Sequence, residues 1–207
     1  MPRRVLITGT SIAGNTTAWW LTQYGFDVDV VERAPAFRDG GQNVDVRGNA
    51  REVLRRMGLE ELALARSTKE RGTDWVDESD SVVARFEAKD SDTDSGPTAE
   101  MEIRRGDIAR IIYDAVGQRA NFRFADSIAA ITQDAAGVDV TFDSGKHARY
   151  DVVVVAEGVG SHTRELVFPG ENKPRWMDIT IAYFSIPRLP TDSPYARQHN
   201  TVDGRGA

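Results

Sequence analysis

The sequence predicts an α/β chain in which a parallel sheet is opened by a βαβ unit and a β-rich layer is threaded through it. Residues 5–8 form a short apolar strand that runs into the glycine-containing turn 9–14. Residues 15–24 then carry apolar side chains at helical spacing, stopped by Gly25. Residues 26–31 return as an alternating strand, which completes the roughly 30 residues of one βαβ unit. The third observation lies far downstream: residues 148–155 end in four consecutive valines, the apolar run of a strand buried on both faces of a parallel sheet. Together these describe a Rossmann-like domain, assigned to residues 1–72 and 101–170. Residues 73–100 and 171–207 are assigned to a partial, incomplete β-rich layer.

Between those landmarks, residues 33–49 lack a sustained period and read as a loop. Residues 50–57 are helical with Gly58 as a stop, and 59–65 add a second helical stretch. Residues 73–88 read as extended, and 89–98 as a polar loop. Apolar residues at 108, 111, 112, 115 and 116 make 106–116 an amphipathic helix. Short strands follow at 121–124, 127–133 and 138–142, and alternation over 176–186 predicts one long strand. From Pro187 onward no helix signal and no closing strand appear.

Composition narrows the function. At 207 residues with 40% hydrophobic content the chain can bury a core, and its net charge of −6 argues against nucleic acid and anionic membranes as partners. Cysteine is absent, which excludes thiol catalysis and thiolate metal sites and fits a reducing cytoplasm. The apolar run behind the basic amino terminus is too short for a signal peptide, so a cytoplasmic location is expected.

A G-x-G-x-x-G turn between strand and helix, with an acid about 20 residues on, is the dinucleotide fingerprint. Here it reads Gly9-Thr10-Ser11-Ile12-Ala13-Gly14. Gly9 makes the tight exit from the strand, and Gly14 lets the helix pack closely on the sheet. Ser11 replaces the glycine that lets the backbone approach a pyrophosphate; its hydroxyl can donate to a phosphate oxygen. The amides of Ile12, Ala13 and Gly14 open the helix, whose partial positive end favours an anion. Glu32 closes the second strand. A carboxylate there accepts from adenosine ribose hydroxyls and repels a 2′-phosphate, which leaves FAD or NAD at this site. Each part alone has an ordinary structural explanation; their order along the chain argues for a nucleotide.

The continuation separates the two cofactors. An NAD domain would run strand–helix–strand through the next ~60 residues, whereas this chain inserts a loop, two helical stretches and an extended region, the layout of a flavoprotein. Five segments then carry a family resemblance: VLITGTSIAGNTTAWWL (5–21), VVER (30–33), GQNVDVRGNAREVLRRMGL (41–59), EIRRGDIARIIYDAV (102–116) and DVVVVAEGVGSHTR (151–164). In that order they resemble the single-component, class A aromatic-ring flavin monooxygenases of the para-hydroxybenzoate hydroxylase type, and among them the branch acting on polyketides and tetracyclines.

The resemblance implies FAD as cofactor, NAD(P)H as co-substrate, O₂ as oxidant and a small aromatic molecule as substrate. It places Glu32 on the ribose, Arg33 and Arg38 near the adenosine or phosphates, Asp45 near the flavin, and Arg105 on the cofactor. Glu157 and Gly158 stand at the family's Asp-Gly motif, with glutamate one methylene longer than aspartate. The family's later Gly-Asp-Ala-Ala-His-type segment does not occur, so the resemblance covers the first half of a member. Two outcomes follow: the FAD-binding portion of a hydroxylase, or an inactive nucleotide-binding remnant that needs a second half or a homo-oligomer.

Other features read as structural. His147, His162 and His199 have no metal-ligand spacing, and Ser161-His162 lack a nucleophile elbow. Trp19 and Trp20 read as packing residues, and Arg51, Arg55 and Arg56 as one solvated helix face.

Overall fold

The computed structural model describes residues 2–88, 99–184, 186–187, 189–202 and 204–206; the loop expected at 89–98 lies outside them. In chain order the elements are β1 (Arg4–Thr8), α1 (Ile12–Gln23), β2 (Asp27–Glu32), β3 (Asn43–Asp45), α2 (Gly48–Arg56), α3 (Glu60–Ala65), β4 (Gly72–Val76), β5 (Val82–Glu87) and β6 (Glu102–Arg104). They continue as α4 (Arg105–Val116), β7 (Asn121–Phe124), β8 (Ile128–Asp134), β9 (Gly137–Phe142), β10 (His147–Tyr150), β11 (Val152–Val155), α5 (His162–Val167) and β12 (Ala196–His199). Contacts divide the chain into two units, Met1–Gly40 with Ile108–Ile181, and Gly41–Asp107 with Ala182–Ala207.

The first unit is the α/β domain. Its four-stranded sheet has the order β11-β1-β2-β7, with every pair parallel. Strand alternation sends Val5, Ile7, Val28 and Val30 to one face, where they pack with Ala18 of α1 and Val116 of α4. Leu6 and Val31 point the other way, into a second cluster with Ile128, Val140, Phe142 and Tyr150. That face is covered by the antiparallel sheet β10-β9-β8. Helices, parallel sheet and antiparallel sheet therefore form three layers around two apolar interfaces. Trp19 packs on the first of them, and Trp20 stacks with Tyr24 at 6.1 Å.

Two strand expectations change here. The segment 148–155 is two strands, not one: β10 pairs antiparallel with β9, and β11 pairs parallel with β1. Asp151 makes the switch, its amide donating to the Arg4 carbonyl at 2.9 Å and its carboxylate accepting from the Arg4 amide at 2.6 Å. The four valines are also not buried on both faces. Among the described residues β11 has only β1 beside it, and Val152 and Val155 are 43% and 40% exposed. Residues 176–184 form no strand, and Trp176, Ile179, Ile181 and Phe184 are exposed. Alternation gives a segment a β-like face, but a strand also needs a ladder partner for its amides and carbonyls; none lies beside this one among the described residues.

In the second unit β12, β4 and β5 form one sheet and β3 and β6 another. The parallel pairing of β12 with β4 corrects the expectation that the end of the chain holds no strand. β3 lies inside the stretch read as loop; at three residues it is too short to show a period. Leu54 and Met57 of the α2 region, Leu59, Ala63, Met101 and Ile103 are buried. Asp74, with its side chain 3% exposed, accepts two bonds from Arg85 at 2.6 and 2.7 Å, and the Arg85 guanidinium lies 3.9 Å from the centre of the Tyr195 ring. The arginines of α2 are not one solvated face: Arg51 is 11% exposed at its side chain and bridges Glu60, at 2.6 Å, and Glu100. Its charge is buried because two carboxylates satisfy it.

Glu70 gives this unit a pH response. Burial first, then Glu102, which shares a hydrogen bond with it, and Asp45 push its carboxyl up to about 7. Unfolded, such a group titrates near 4.3, so on raising pH the unfolded chain loses its proton first. The stability tied to the neutral carboxyl is complete below about pH 4.3, declines up to about pH 7 and is absent above. With solvent screening at a half-buried group, wild type should lose ~1–2 kcal/mol between pH 5 and 8 relative to Glu70→Gln. Urea unfolding of both proteins at the two pH values measures this; parallel pH dependence would contradict it.

Candidate cofactor site

The site is built at the carboxyl ends of the parallel strands, where α/β sheets bind ligands. β1 ends at Thr8, whose carbonyl accepts from the Ala156 amide at 2.9 Å, while the Gly9 amide donates to the Val31 carbonyl at 2.8 Å. The Thr8–Gly9 peptide is thus tied to both neighbouring strand ends. Gly9 turns with φ +97°, and a Cβ on it would lie 2.7 Å from the Ala156 carbonyl oxygen. The first turn of α1 then comes down on the next peptide: a Cβ on Gly14 would sit 1.9 Å from the Gly9 carbonyl oxygen. No side chain fits at either position.

Ser11 is the residue before α1, extended at φ −95° and ψ −164°, and its side chain makes no capping bond to the helix. The Asn15 amide donating to the Ser11 carbonyl at 3.0 Å is the first helical bond. Helix geometry therefore leaves the amides of Ile12, Ala13 and Gly14 without intrahelical acceptors. Asn15, fully buried, donates its side-chain amide to the Thr10 and Ala109 carbonyls at 3.0 and 3.3 Å and so fastens the turn to α4.

Glu32 ends β2 beside this turn. Its Oε2 accepts from the Thr10 amide and hydroxyl at 3.0 and 3.1 Å, and its Oε1 from the Ala34 amide at 2.9 Å. A carboxylate offers about four lone-pair positions, so one on Oε1 remains for a ligand hydroxyl. A cleft of about 260 Å³ opens here, lined by Gly9, Glu32, Arg33, Asp126, Glu157 and His162 among others.

The walls carry fixed charge. Asp126 is buried; burial pushes its carboxyl up, but the Ser144 hydroxyl and amide, the Ser127 amide and Arg123 outweigh it and hold it below its usual range. Glu157 behaves alike: burial raises it, and Thr163 and Ser161 together bring it below its ordinary value. Its carboxylate faces the start of α5, accepting from the Ser161 hydroxyl at 2.8 Å and the Thr163 amide at 3.0 Å. The longer side chain at this position is thus used inside its own turn. Gly158 follows at φ +75°.

Of the residues singled out from sequence, Gly9, Ser11, Ile12, Ala13, Gly14, Glu32, Arg33, Arg38, Glu157 and Gly158 all fall in the first unit. Arg33 lines the cleft and Arg38 is exposed on the loop after β2. That loop is pinned by Phe37, whose ring lies 4.8 Å from Tyr113 and 4.0 Å from the Arg110 guanidinium. Asp45 and Arg105 belong to the second unit. Asp45 is exposed on β3 and pairs with Arg47 at 2.8 Å; Arg105 is the first residue of α4. Sequence reasoning missed Thr10, Asp126 and Phe37. Asp126-Ser127 directly after a strand is an Asx-turn signal that could have marked the first of the cleft's added walls.

Glycine-only turn, open helix start and a spare carboxylate acceptor fit the adenosine diphosphate part of a dinucleotide. Residues 3–199 match the family described as FAD binding domain. The chain belongs to that family. Its cofactor is FAD, and the layered α/β domain is the family's Rossmann-like fold. Similar proteins include the FAD-dependent monooxygenase asL4 of Sarocladium schorii, 39% identical over 90% of this chain and 45% of its own length. The flavin-dependent monooxygenase eupH of a Phoma species is 36% identical over 92% of this chain and 46% of its own length. The crystal structure of the tetracycline destructase Tet(55) superposes with a TM-score of 0.71 at 30% identity, covering 82% of this chain and 42% of that one. The FAD-binding chain therefore spans somewhat under half the length of each. Among its described residues no helix is long and apolar enough to cross a membrane, and no group of acidic or histidine side chains could hold a metal ion.

Gly14→Ala should force α1 off the sheet, since the obstruction is a backbone carbonyl. Overlap of this size costs ~1–3 kcal/mol or more; thermal unfolding should show the loss, together with weakened FAD uptake. Unchanged stability and affinity would mean the helix does not rest on Gly9.

Proposed function

We propose that the chain is the FAD-binding portion of a monooxygenase that hydroxylates an aromatic or polyketide-type substrate with NAD(P)H and O₂. The observation that carries this is the cleft at Glu32 and the start of α1, in a chain that matches an FAD-binding family and is similar to proteins named as FAD- or flavin-dependent monooxygenases. When bound, FAD supplies the redox chemistry, taking electrons from NAD(P)H and delivering one oxygen atom of O₂ to the substrate.

The chain's own residues bind and orient. Glu32 accepts a ribose hydroxyl through its free position on Oε1. The amides of residues 12–14, with the helix dipole behind them, hold the pyrophosphate. Ser11 faces the same group, and Arg33 and Arg38 supply positive charge beside it. Asp45 and Arg105 serve the flavin end of the cofactor. Glu157 acts indirectly: by bonding to Ser161 and Thr163 it holds the turn through Gly158.

The relatives are about twice as long as this chain. We infer that the other half of such a protein packs along the outer edge of β11. In support, Val152, Val155, Val167 and Phe168 are exposed around a groove of about 510 Å³ there. Turnover by the whole enzyme would depend on that half, while uptake of FAD would not.

Purified protein incubated with FAD and desalted should be yellow and release flavin on denaturation. A colourless protein that binds neither FAD nor its adenosine diphosphate part would overturn the proposal. NAD(P)H oxidation by the FAD-loaded chain, measured with and without an aromatic substrate, then reports whether this portion reduces flavin by itself.

A further inference from the structure

The β3–β6 ladder places Asn43 opposite Arg104. The pairing extends one step further, because the Arg105 amide donates to the Gln42 carbonyl at 2.9 Å. Gly41 thereby comes against the Arg105 side chain. A Cβ built on Gly41 would lie 2.5 Å from Nε, 3.1 Å from Nη2 and 3.2 Å from Cζ of that arginine. The guanidinium end of Arg105 occupies the space that any side chain at position 41 would fill. Gly41 also has φ +131°, a conformation that favours glycine. Its neighbour Gly40 differs on both counts: it has no positive φ, and nothing lies within 4 Å of a Cβ there.

The position of Arg105 has no explanation in helix stability. It is the first residue of α4, where the helix dipole disfavours a cation. The acid in that first turn, Asp107, pairs with Arg104 at 3.4 Å. Ordering a long side chain also costs conformational entropy.

We propose that Gly41 is a positioning residue: by having no side chain, it fixes the Arg105 guanidinium in the orientation used on FAD. This rests on the reading that Arg105 serves the cofactor. A side chain at 41 displaces the guanidinium, so its effect on FAD runs through Arg105 and vanishes when Arg105 is gone.

A double-mutant cycle tests this, with Gly41→Ala, Arg105→Ala, the double variant and Gly40→Ala as control. FAD affinity is read by quenching of flavin fluorescence. Gly41→Ala should weaken binding about tenfold in the presence of Arg105 and less than about threefold in Arg105→Ala, with Gly40→Ala unchanged. A loss of equal size in both backgrounds, or an Arg105→Ala protein with wild-type affinity, would overturn the proposal. Should Gly41→Ala unfold at lower temperature, the double variant recovers stability if the guanidinium is the obstruction. A deficit as large in the double variant as in Gly41→Ala means that backbone strain at φ +131° is the whole effect and counts against the proposal.

A second readout is independent of FAD. The Nε–H resonance of Arg105, assigned by its disappearance in Arg105→Lys, should move in Gly41→Ala and stay in Gly40→Ala. If no protein in the set binds FAD, the cofactor reading fails, and this resonance alone decides whether Gly41 positions Arg105. An unmoved resonance in Gly41→Ala overturns the contact.

Discussion

The contact between the first turn of α1 and the peptide of Gly9 is the constraint on which the site depends. Two missing side chains make it: one at Gly9, hemmed by the Ala156 carbonyl, and one at Gly14, hemmed by Gly9 itself. Because the helix sits this close, its open amides lie at the strand ends, and the Thr10 amide and hydroxyl reach the carboxylate of Glu32. Strand end, helix start and acid are locked into one turn by the chain's own hydrogen bonds. Such preorganisation lowers the ordering cost of binding.

The cleft's electrostatics follow from how its acids are already engaged. Asp126 is held ionised by the hydroxyl and amide of Ser144 from a distant turn and by the Ser127 amide, and Glu157 by Ser161 and Thr163 of its own turn; both shape the walls. Glu32 keeps an acceptor position free. Three carboxylates about one cleft disfavour a second, 2′-phosphate on the ribose, so the site suits an adenosine diphosphate whose 2′-hydroxyl is free. In the proposed binding mode, positive charge for the pyrophosphate would come instead from the helix start and from Arg33 on the cleft's rim.

How much of this was legible in the sequence depended on whether the cause was local. The βαβ unit, its glycines and Glu32 are short-range features, each fixed by a period or by backbone geometry that only glycine tolerates, and the structure shows them where the spacing put them. The amphipathic helix of residues 106–116 is likewise a local pattern and appears as α4. What depends on distant partners was not legible. The split at Asp151 needs Arg4, 147 positions away, to be visible. The buried Arg51 needs Glu60 and Glu100. The alternation of residues 176–184 promises a strand, but no neighbour supplies a ladder among the described residues. Asp126, Thr10 and Phe37 entered the site in the same way, through contacts made by other elements.

The central claim is that the free acceptor position of Glu32 takes a ribose hydroxyl of FAD. Equilibrium titration of wild type and Glu32→Gln with FAD tests it most directly. Replacing a charged acceptor by a neutral one of the same shape should weaken FAD about tenfold or more, the usual worth of a hydrogen bond to a charged group, with the folding transition retained. Equal affinity in the two proteins would contradict the account.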